Sequence, residues 1–413
     1  MEDARQAHSD KVDRWVTGPV TGPLIFLVAM WAVFQITTLV AMPLQRLLGE
    51  FFTGPLSRWA VEGLTVVGLQ NHWLRGLIVD GIITGVGTLL SFVPLMAVMF
   101  ILLALMEQSG YMSRAAVVAS SAMRGLGLPG QAFLPLIVGF GCNVPGVLAS
   151  SELPDVRQRR LTVLLVPFTS CSARLSVYLL ISSAFFGRWA GTAVFAMYLV
   201  SILLVVGVGL ALRHTLWRAL PDPSGVIDLA PYQRPRLAAT VRAAWLRLKD
   251  FLVTASGVIV GVVVVVWALQ ATPAGPGFGT FGHVVAGDSI YAVVARAVAH
   301  LFTPAGFGDW GIASALIAGF VAKEAVVSSL AQTFAGSDLT TALHQVFSVS
   351  SGGHQLAAVA AFLVFVLAYT PCVATLAAMR RRIGARWSLF GVAMQLIVAW
   401  VLAVVVFQIG SRL

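Results

Sequence analysis

Two stretches decide how this chain is read. Leu136-Ile137-Val138-Gly139-Phe140-Gly141-Cys142-Asn143-Val144-Pro145 is followed by Phe168-Thr169-Ser170-Cys171-Ser172-Ala173-Arg174-Leu175. Much later, Leu316-Ile317-Ala318-Gly319-Phe320-Val321-Ala322-Lys323-Glu324 precedes Tyr369-Thr370-Pro371-Cys372-Val373-Ala374-Thr375-Leu376. Thr, Cys, Ala and Leu return in the same order, so the second pair reads as an altered copy of the first. All three cysteines of the 413-residue chain lie in these motifs.

The motifs sit in a chain that is 58% hydrophobic and only 11% charged, with a mean hydropathy of +0.88. A soluble domain needs far more charge on its surface, so the composition implies an all-α polytopic membrane protein. A bilayer core of roughly 30 Å takes about 20 helical residues. Stretches near 24–43, 77–106, 161–186, 190–212, 251–270, 356–379 and 387–409 meet that length. Their backbones are expected to be helical because lipid offers no hydrogen-bond partners. Pro43 is expected to help end the first span, and residues 44–75 read as an amphipathic segment on the outer surface. Gly81, Gly85, Gly87 and Pro94 predict a kinked or broken passage over 77–106, or close helix packing.

Residues 133–150 carry Pro135, Gly139, Gly141, Pro145 and Gly146, too many interruptions for a simple span. A re-entrant half-helix is expected, because irregular backbone at membrane depth survives only where protein or water covers it. The following loop, 151–160, holds Arg157, Arg159 and Arg160, whereas its counterpart in the second copy, 335–355, has no Lys or Arg. Gly139 and Gly319 are 180 residues apart and Cys171 and Cys372 are 201 apart, so the difference of 21 matches an insertion at 335–355. Opposite loop charge predicts two inverted gate-type repeats with re-entrant or broken helices, and a site near the midplane between them.

The net charge of +10 is read as orientation bias and not as a nucleic-acid surface. Residues 1–15, 107–132, 151–160, 213–249 and 380–386 hold 19 of the 27 Lys and Arg, which predicts that these face the cytoplasm. The expected organisation is a cytoplasmic tail over 1–15, a first half over 16–212, a basic cytoplasmic linker over 213–249 and a second half over 250–413. The tail lacks the order of a cleaved signal peptide.

Three cysteines at membrane depth do not suggest a disulfide framework. A lone membrane cysteine is usually a small packing residue. Here Cys171 and Cys372 both follow an aromatic-Thr pair, and Pro145, Pro167 and Pro371 lie close by, where they would free backbone carbonyls. Cys142, Cys171 and Cys372 are therefore candidate contacts for a soft or borderline metal, with Asn143 as a weak ligand or a helix cap. Glu107, Arg174, Lys323, Glu324, Thr169 and Thr370 are candidate gating or intramembrane polar groups, since charge in lipid is costly. Arg174 would either favour thiolate at Cys171 or pair with Glu107 or Glu324. His283, Asp288, His300 and Asp309 are irregularly spaced and read as solvated loop residues, not a metal-collecting surface. The three lysines, Lys11, Lys249 and Lys323, stand in no P-loop, and no His-Glu-x-x-His or Gly-x-Ser-x-Gly is present. A nucleotide site or an enzyme is therefore not expected.

Asp80-Gly81-Ile82-Ile83-Thr84-Gly85-Val86-Gly87, the segment from Glu107 to Ala116 and the four motifs quoted above resemble the membrane domain of the bacterial ferrous iron transporter FeoB family. The resemblance runs from about Asp13 to the C-terminus. It implies Fe²⁺ as cargo across the cytoplasmic (inner) membrane, through two related gate motifs with the cysteines along the path. Family members usually begin with a GTP-binding domain and a helical spacer that this sequence lacks. The resemblance thus points to a separate G-protein subunit or small cytoplasmic accessory protein as partner, beside lipid and a possible homo-oligomer. Gln131-Ala132 and Ser176 depart from the Lys-Ser and Pro that the family often has. Competing readings are a carrier of another divalent metal or a nucleoside-like solute, and a membrane sensor that binds metal without moving it.

Overall fold

The computed structural model describes residues 15–16, 18, 21–66, 72–217, 232, 235–275, 280–282, 284–334 and 338–412. The tail over 1–14, most of the linker's middle and His283 lie outside the described residues. Among the described residues the chain is helical, and pairing of extended backbone is confined to an isolated bridge between Pro273 and Ser289. Five helical stretches are long and apolar enough to cross a membrane, or six if one sharply bent pair counts as a span. The protein is a multi-pass membrane protein.

Helix α1 (Thr21–Phe51) runs straight through Pro43 and continues through a π-helical turn, Phe52–Leu56, into α2 (Ser57–Val66). The expected stop at Pro43 is thus corrected: a proline removes one amide hydrogen bond, and the flanking turns keep the rest. Of the stretch read as an amphipathic surface segment over 44–75, residues 44–66 continue this helix and 72–75 fall in a later one. After α3 (His72–Gly76), the kink expected over 77–106 is a π-helical turn at Leu77–Ile83, followed by α4 (Thr84–Gln108). Its glycines serve close packing. Gly81 faces Val264 and Trp267, and a Cβ on Gly85 would touch Val260 Cα at 3.4 Å. Those partners belong to α11 (Leu237–Ala271), which runs antiparallel to α4, with Thr240 donating to Gln108 at the far end. Because α11 begins at Leu237, the stretch read as linker is partly helix.

Between them lie α5 (Tyr111–Gly125), then α6 (Phe133–Gly141) and α7 (Asn143–Ala149), a helical hairpin broken at Cys142. Helix α8 (Val156–Leu165) follows, capped by Asp155, whose carboxylate accepts from the amides of Arg157 and Gln158. The span expected over 161–186 is not continuous: a 3-10 turn at Val166–Phe168 and extended residues to Cys171 separate α8 from α9 (Ser172–Phe186). Helix α10 (Ala190–Thr215) closes the first half.

The second half repeats this plan. Helix α12 (Ile290–Phe302) leads to α13 (Trp310–Val321) and α14 (Ala325–Thr333), broken at Ala322. The 21-residue insertion contains a further helix, α15 (Leu339–Ser350). Helices α16 (Gln355–Ala368) and α17 (Val373–Gly410) are again separated by an extended break, here at Tyr369–Cys372. Within α17, Gly384 takes φ 82° and ψ 165°, and the chain turns back there. Positive φ is a conformation glycine adopts at no steric cost.

The two halves are inverted. Helix α8 starts at a basic end of the molecule, where Arg160 lies over Trp387, and α9 finishes at the opposite end, where the Ala184 carbonyl meets His344. Helix α16 starts beside that same His344, at Gln355, and α17 arrives at the basic end, where Arg381 pairs with Asp250. The hairpins behave likewise. The α6–α7 hairpin has its two ends next to Glu152, at the basic end. The α13–α14 hairpin has its two ends at the opposite end, where Gly311 packs on Thr333 and Phe334. With lipid no less apolar than leucine, such close small-residue packing is what holds helices together in a membrane.

Candidate functional site

Both repeats break their helices in the same backbone conformation. Cys142 has φ −151° and ψ 130°, and Ala322, at the equivalent position, has φ −147° and ψ 131°. Cys171 has φ −70° and ψ 160°, and Cys372 has φ −62° and ψ 157°. Each of these hairpins is pressed against the break of its own repeat. A Cβ on Gly139 would collide with Thr169 Oγ1, and one on Gly319 would collide with Val326 and lie 2.5 Å from the Tyr369 hydroxyl oxygen.

Where the four breaks meet there is a cavity of about 60 Å³. That exceeds the roughly 10–15 Å³ one water needs. Cys142, Asn143, Cys171, Lys323, Glu324 and Cys372 all line it. Four helices begin at this cavity, and their cap residues are Cys142, Cys171, Glu324 and Cys372. The partial positive charge of a helix start complements a thiolate or carboxylate placed there. Cys142 and Cys372 are half-buried, Cys171 is buried and Glu324 is exposed to the cavity space. Among the described residues no three His, Cys, Asp or Glu side chains are gathered closely enough to hold a metal ion together. The three thiols therefore share one cavity without forming a closed cage among the described residues.

The remaining predicted groups have distinct places. Asn143 does not cap: its Oδ1 accepts from Thr169 Oγ1 at 3.3 Å, joining hairpin to break. Arg174 is fully buried, and it corrects the expected ion pair with Glu107 or Glu324. Its guanidinium instead donates to the carbonyls of Pro167 at 3.0 Å, Thr169 at 2.9 Å and Tyr369 at 3.3 Å, the last in the other repeat. These are carbonyls that the extended breaks release from helical pairing. Lys323 Nζ, also buried, donates to the Thr370 carbonyl at 2.5 Å and stands 3.1 Å from the centre of the Tyr369 ring, a cation–π contact. Glu107 stands apart, at the basic end, paired with Arg247 at 2.7 Å. Asp309 caps α13 by accepting from the amides of Gly311 and Ile312.

Sequence reading missed several contributors. Tyr369 stands in the sequence only as the aromatic before Thr370, yet its ring serves Lys323 and its carbonyl serves Arg174. Ser172 Oγ donates to the Gly141 carbonyl at 2.9 Å, and Ser201 on α10 accepts from Ser170 N and donates to the Phe168 carbonyl. A lone serine in the apolar run of α10 was the signal for the last. Thr88, Phe92, Phe251 and Ile259 also line the cavity and carry no motif.

At the basic end a second cavity is lined by Glu107, Glu152, Arg247, Asp250 and Arg382. Glu152 is exposed over part of its surface, and partial loss of solvent at its carboxyl, with Glu107 beside it, pushes its pKa up to about 7, against a lowering pull from Arg247.

Comparison with known proteins agrees with the repeat plan. The family model described as Gate, nucleoside recognition, matches residues 89–185 and 252–386, which bracket the breaks of both halves. The model described as ferrous iron transport protein B C terminus matches residues 194–247 between them. Among similar proteins, the Fe(2+) transporter FeoB of Methanocaldococcus jannaschii is 35% identical over 98% of this chain and 59% of its own length. The protein of the same name from Staphylococcus aureus strain COL is 34% identical over 99% of this chain and 60% of its own. That of Legionella pneumophila strain Lens is 32% identical over 98% and 60%. The chain thus spans about three fifths of the length of the curated relatives it matches. No solved structure matches it. With gate motifs in both inverted halves and the connecting segment matched as well, the chain belongs to the gate family and, within it, corresponds to the membrane part of ferrous iron transport protein B.

Proposed function

We propose that this chain is a permease for Fe²⁺, importing it across the cytoplasmic membrane through the cavity between the two gate repeats. The single observation that carries this reading is the convergence of Cys142, Cys171, Cys372 and Glu324 on one cavity at the breaks. Thiol and carboxylate together suit a borderline divalent metal and give Mg²⁺ or Ca²⁺ little to prefer. The names of the similar proteins, Fe(2+) transporter FeoB, support Fe²⁺ as the cargo. Ligands that are not gathered into a cage also suit a carrier, which has to release what it binds.

The basic end, with Arg157, Arg159, Arg160, Arg247, Arg381 and Arg382, is assigned to the cytoplasm by the positive-inside bias. Coupling to nucleotide hydrolysis is assigned to a separate G-protein subunit or to a part of the protein beyond this chain.

The test is metal-resolved flux into proteoliposomes under anaerobic conditions. Cys171→Ser combined with Cys372→Ser is expected to lower Fe²⁺ uptake at least tenfold with normal membrane insertion. Unchanged uptake rejects the thiol path. Competition by nucleosides instead of metals rejects the cargo, and metal binding without flux identifies a sensor.

A further inference from the structure

The extended breaks leave two equivalent backbone carbonyls, Thr169 in the first repeat and Thr370 in the second, without helical partners. Each is taken by a basic side chain of the protein itself. Arg174 holds the Thr169 carbonyl and, in addition, those of Pro167 and Tyr369. Lys323 holds the Thr370 carbonyl alone, above the Tyr369 ring. Carbonyl oxygens and an aromatic face are groups that receive cations. Only one of the two tethered cations lines the central cavity, and it is Lys323.

The difference in anchoring decides which of them can move. Arg174 makes three hydrogen bonds with a planar, always-charged fork, and it spans both repeats, so it is a fixed strut. Lys323 makes one such bond from a flexible four-carbon stem. Glu324, the next residue, lines the same cavity and offers a counter-charge to a displaced ammonium. At the position equivalent to Lys323 the first repeat carries Asn143, which is neutral. The charge is thus a specific addition to one repeat and is not required by the break geometry.

We propose that Lys323 is a tethered surrogate cation: its ammonium fills the Thr370 carbonyl station of the central cavity at rest and is displaced when a divalent metal enters. Lys323 is then a determinant of affinity, since metal has to displace an internal competitor of like charge. The inference rests on the permease reading for the identity of the metal. Displacement costs apparent affinity in proportion to how firmly the resting state is held.

Two measurements on the 413-residue chain in detergent test it, with Fe²⁺ under anaerobic conditions as the probe. First, equilibrium binding is compared among the native chain, Lys323→Met and Lys323→Arg. Lys323→Met keeps much of the stem's bulk without its charge and is expected to tighten binding about tenfold, equivalent to about 1.4 kcal/mol. Lys323→Arg, which keeps the charge, is expected not to tighten it. Second, because the chain has only Lys11, Lys249 and Lys323, modification of each by a small amine reagent can be followed separately by mass spectrometry. Saturating Fe²⁺ is expected to raise the rate at Lys323 several-fold and leave Lys249 unchanged. This second measurement uses the native chain, so it decides the matter even where a variant fails to fold. Fe²⁺ binding with an unchanged Lys323 rate, or weaker binding by Lys323→Met in a folded protein, overturns the surrogate and leaves the permease reading standing. No Fe²⁺ binding by the native chain overturns both.

Discussion

Arg174 shows how much one side chain is asked to hold at the centre of this protein. Its guanidinium satisfies two carbonyls of its own repeat and one of the other. Replacing it by Met would leave three buried carbonyls unpaired, and each unmade buried hydrogen bond costs about 1–3 kcal/mol. Arg174→Met is therefore expected to lose about 3 kcal/mol or more, read as a lowered thermal unfolding midpoint in detergent and poor accumulation in membranes. Arg174→Lys keeps the charge but cannot reach three carbonyls at fixed angles, so partial recovery is expected. A native midpoint for Arg174→Met would show that water serves these carbonyls equally well. The sequence placed Arg174 three residues after Cys171 and so invited an electrostatic role toward the thiol. What it could not display was the pair of carbonyls made available by Pro167 and the extended backbone, because those acceptors exist only once the helix is known to stop at Phe168.

The same limit appears at the scale of elements. The re-entrant hairpin over 133–150 was legible because five prolines and glycines interrupt it, and the insertion over 335–355 was legible from the repeat offsets. The breaks inside 161–186 and 356–379 were not, since apolar composition satisfies a span whether its helix is whole or broken. Hydropathy records solvent preference, and backbone hydrogen bonding is invisible to it. Pro43 misled in the opposite sense, because one missing amide does not stop a helix. The short 3-10 element Ser150–Glu152, which follows the first hairpin, carries a testable charge. Glu152 has its pKa raised to about 7 by loss of solvent and by Glu107, against Arg247, with Asp250 and Arg382 lining the same cavity. A carboxyl that holds its proton more tightly when folded contributes stability below its unfolded pKa of 4.5. That contribution is lost as pH rises through about 7. The thermal midpoint is therefore expected to fall between pH 5 and pH 8, and Glu152→Gln is expected to flatten that slope and to raise the midpoint at pH 8. An identical slope in the variant would assign it to other groups.

For the molecule as a whole, inversion means that the two hairpins enter from opposite ends and meet at one cavity. In a permease, the reading proposed above, one end has to be shut while the other opens. At the basic end, the space between α7, α11 and the first part of α17 has narrowed to about 10 Å³, lined by Val144, Leu148, Asp250, Phe251, Ala374 and Arg381. A single water needs roughly that much, so this space is a constriction beside the larger cavity of about 80 Å³ at the same end. The Asp250–Arg381 ion pair lies across the closure, with both side chains more than a third exposed. Exposed pairs contribute about 0–1 kcal/mol, so as a latch this one would be weak and easily released. Cys142, which lines the cavity behind it, reports on the latch. A membrane-impermeant thiol reagent applied to the basic face is expected to label Cys142 slowly in the native protein. Asp250→Asn or Arg381→Gln is expected to speed that labelling by up to about fivefold, the Boltzmann factor for about 1 kcal/mol. Labelling from the opposite face should not speed up in either variant. If both variants label at the native rate from the basic face, hydrophobic contact among Val144, Leu148, Phe251 and Ala374 is what shuts this end, and the ion pair is only its rim.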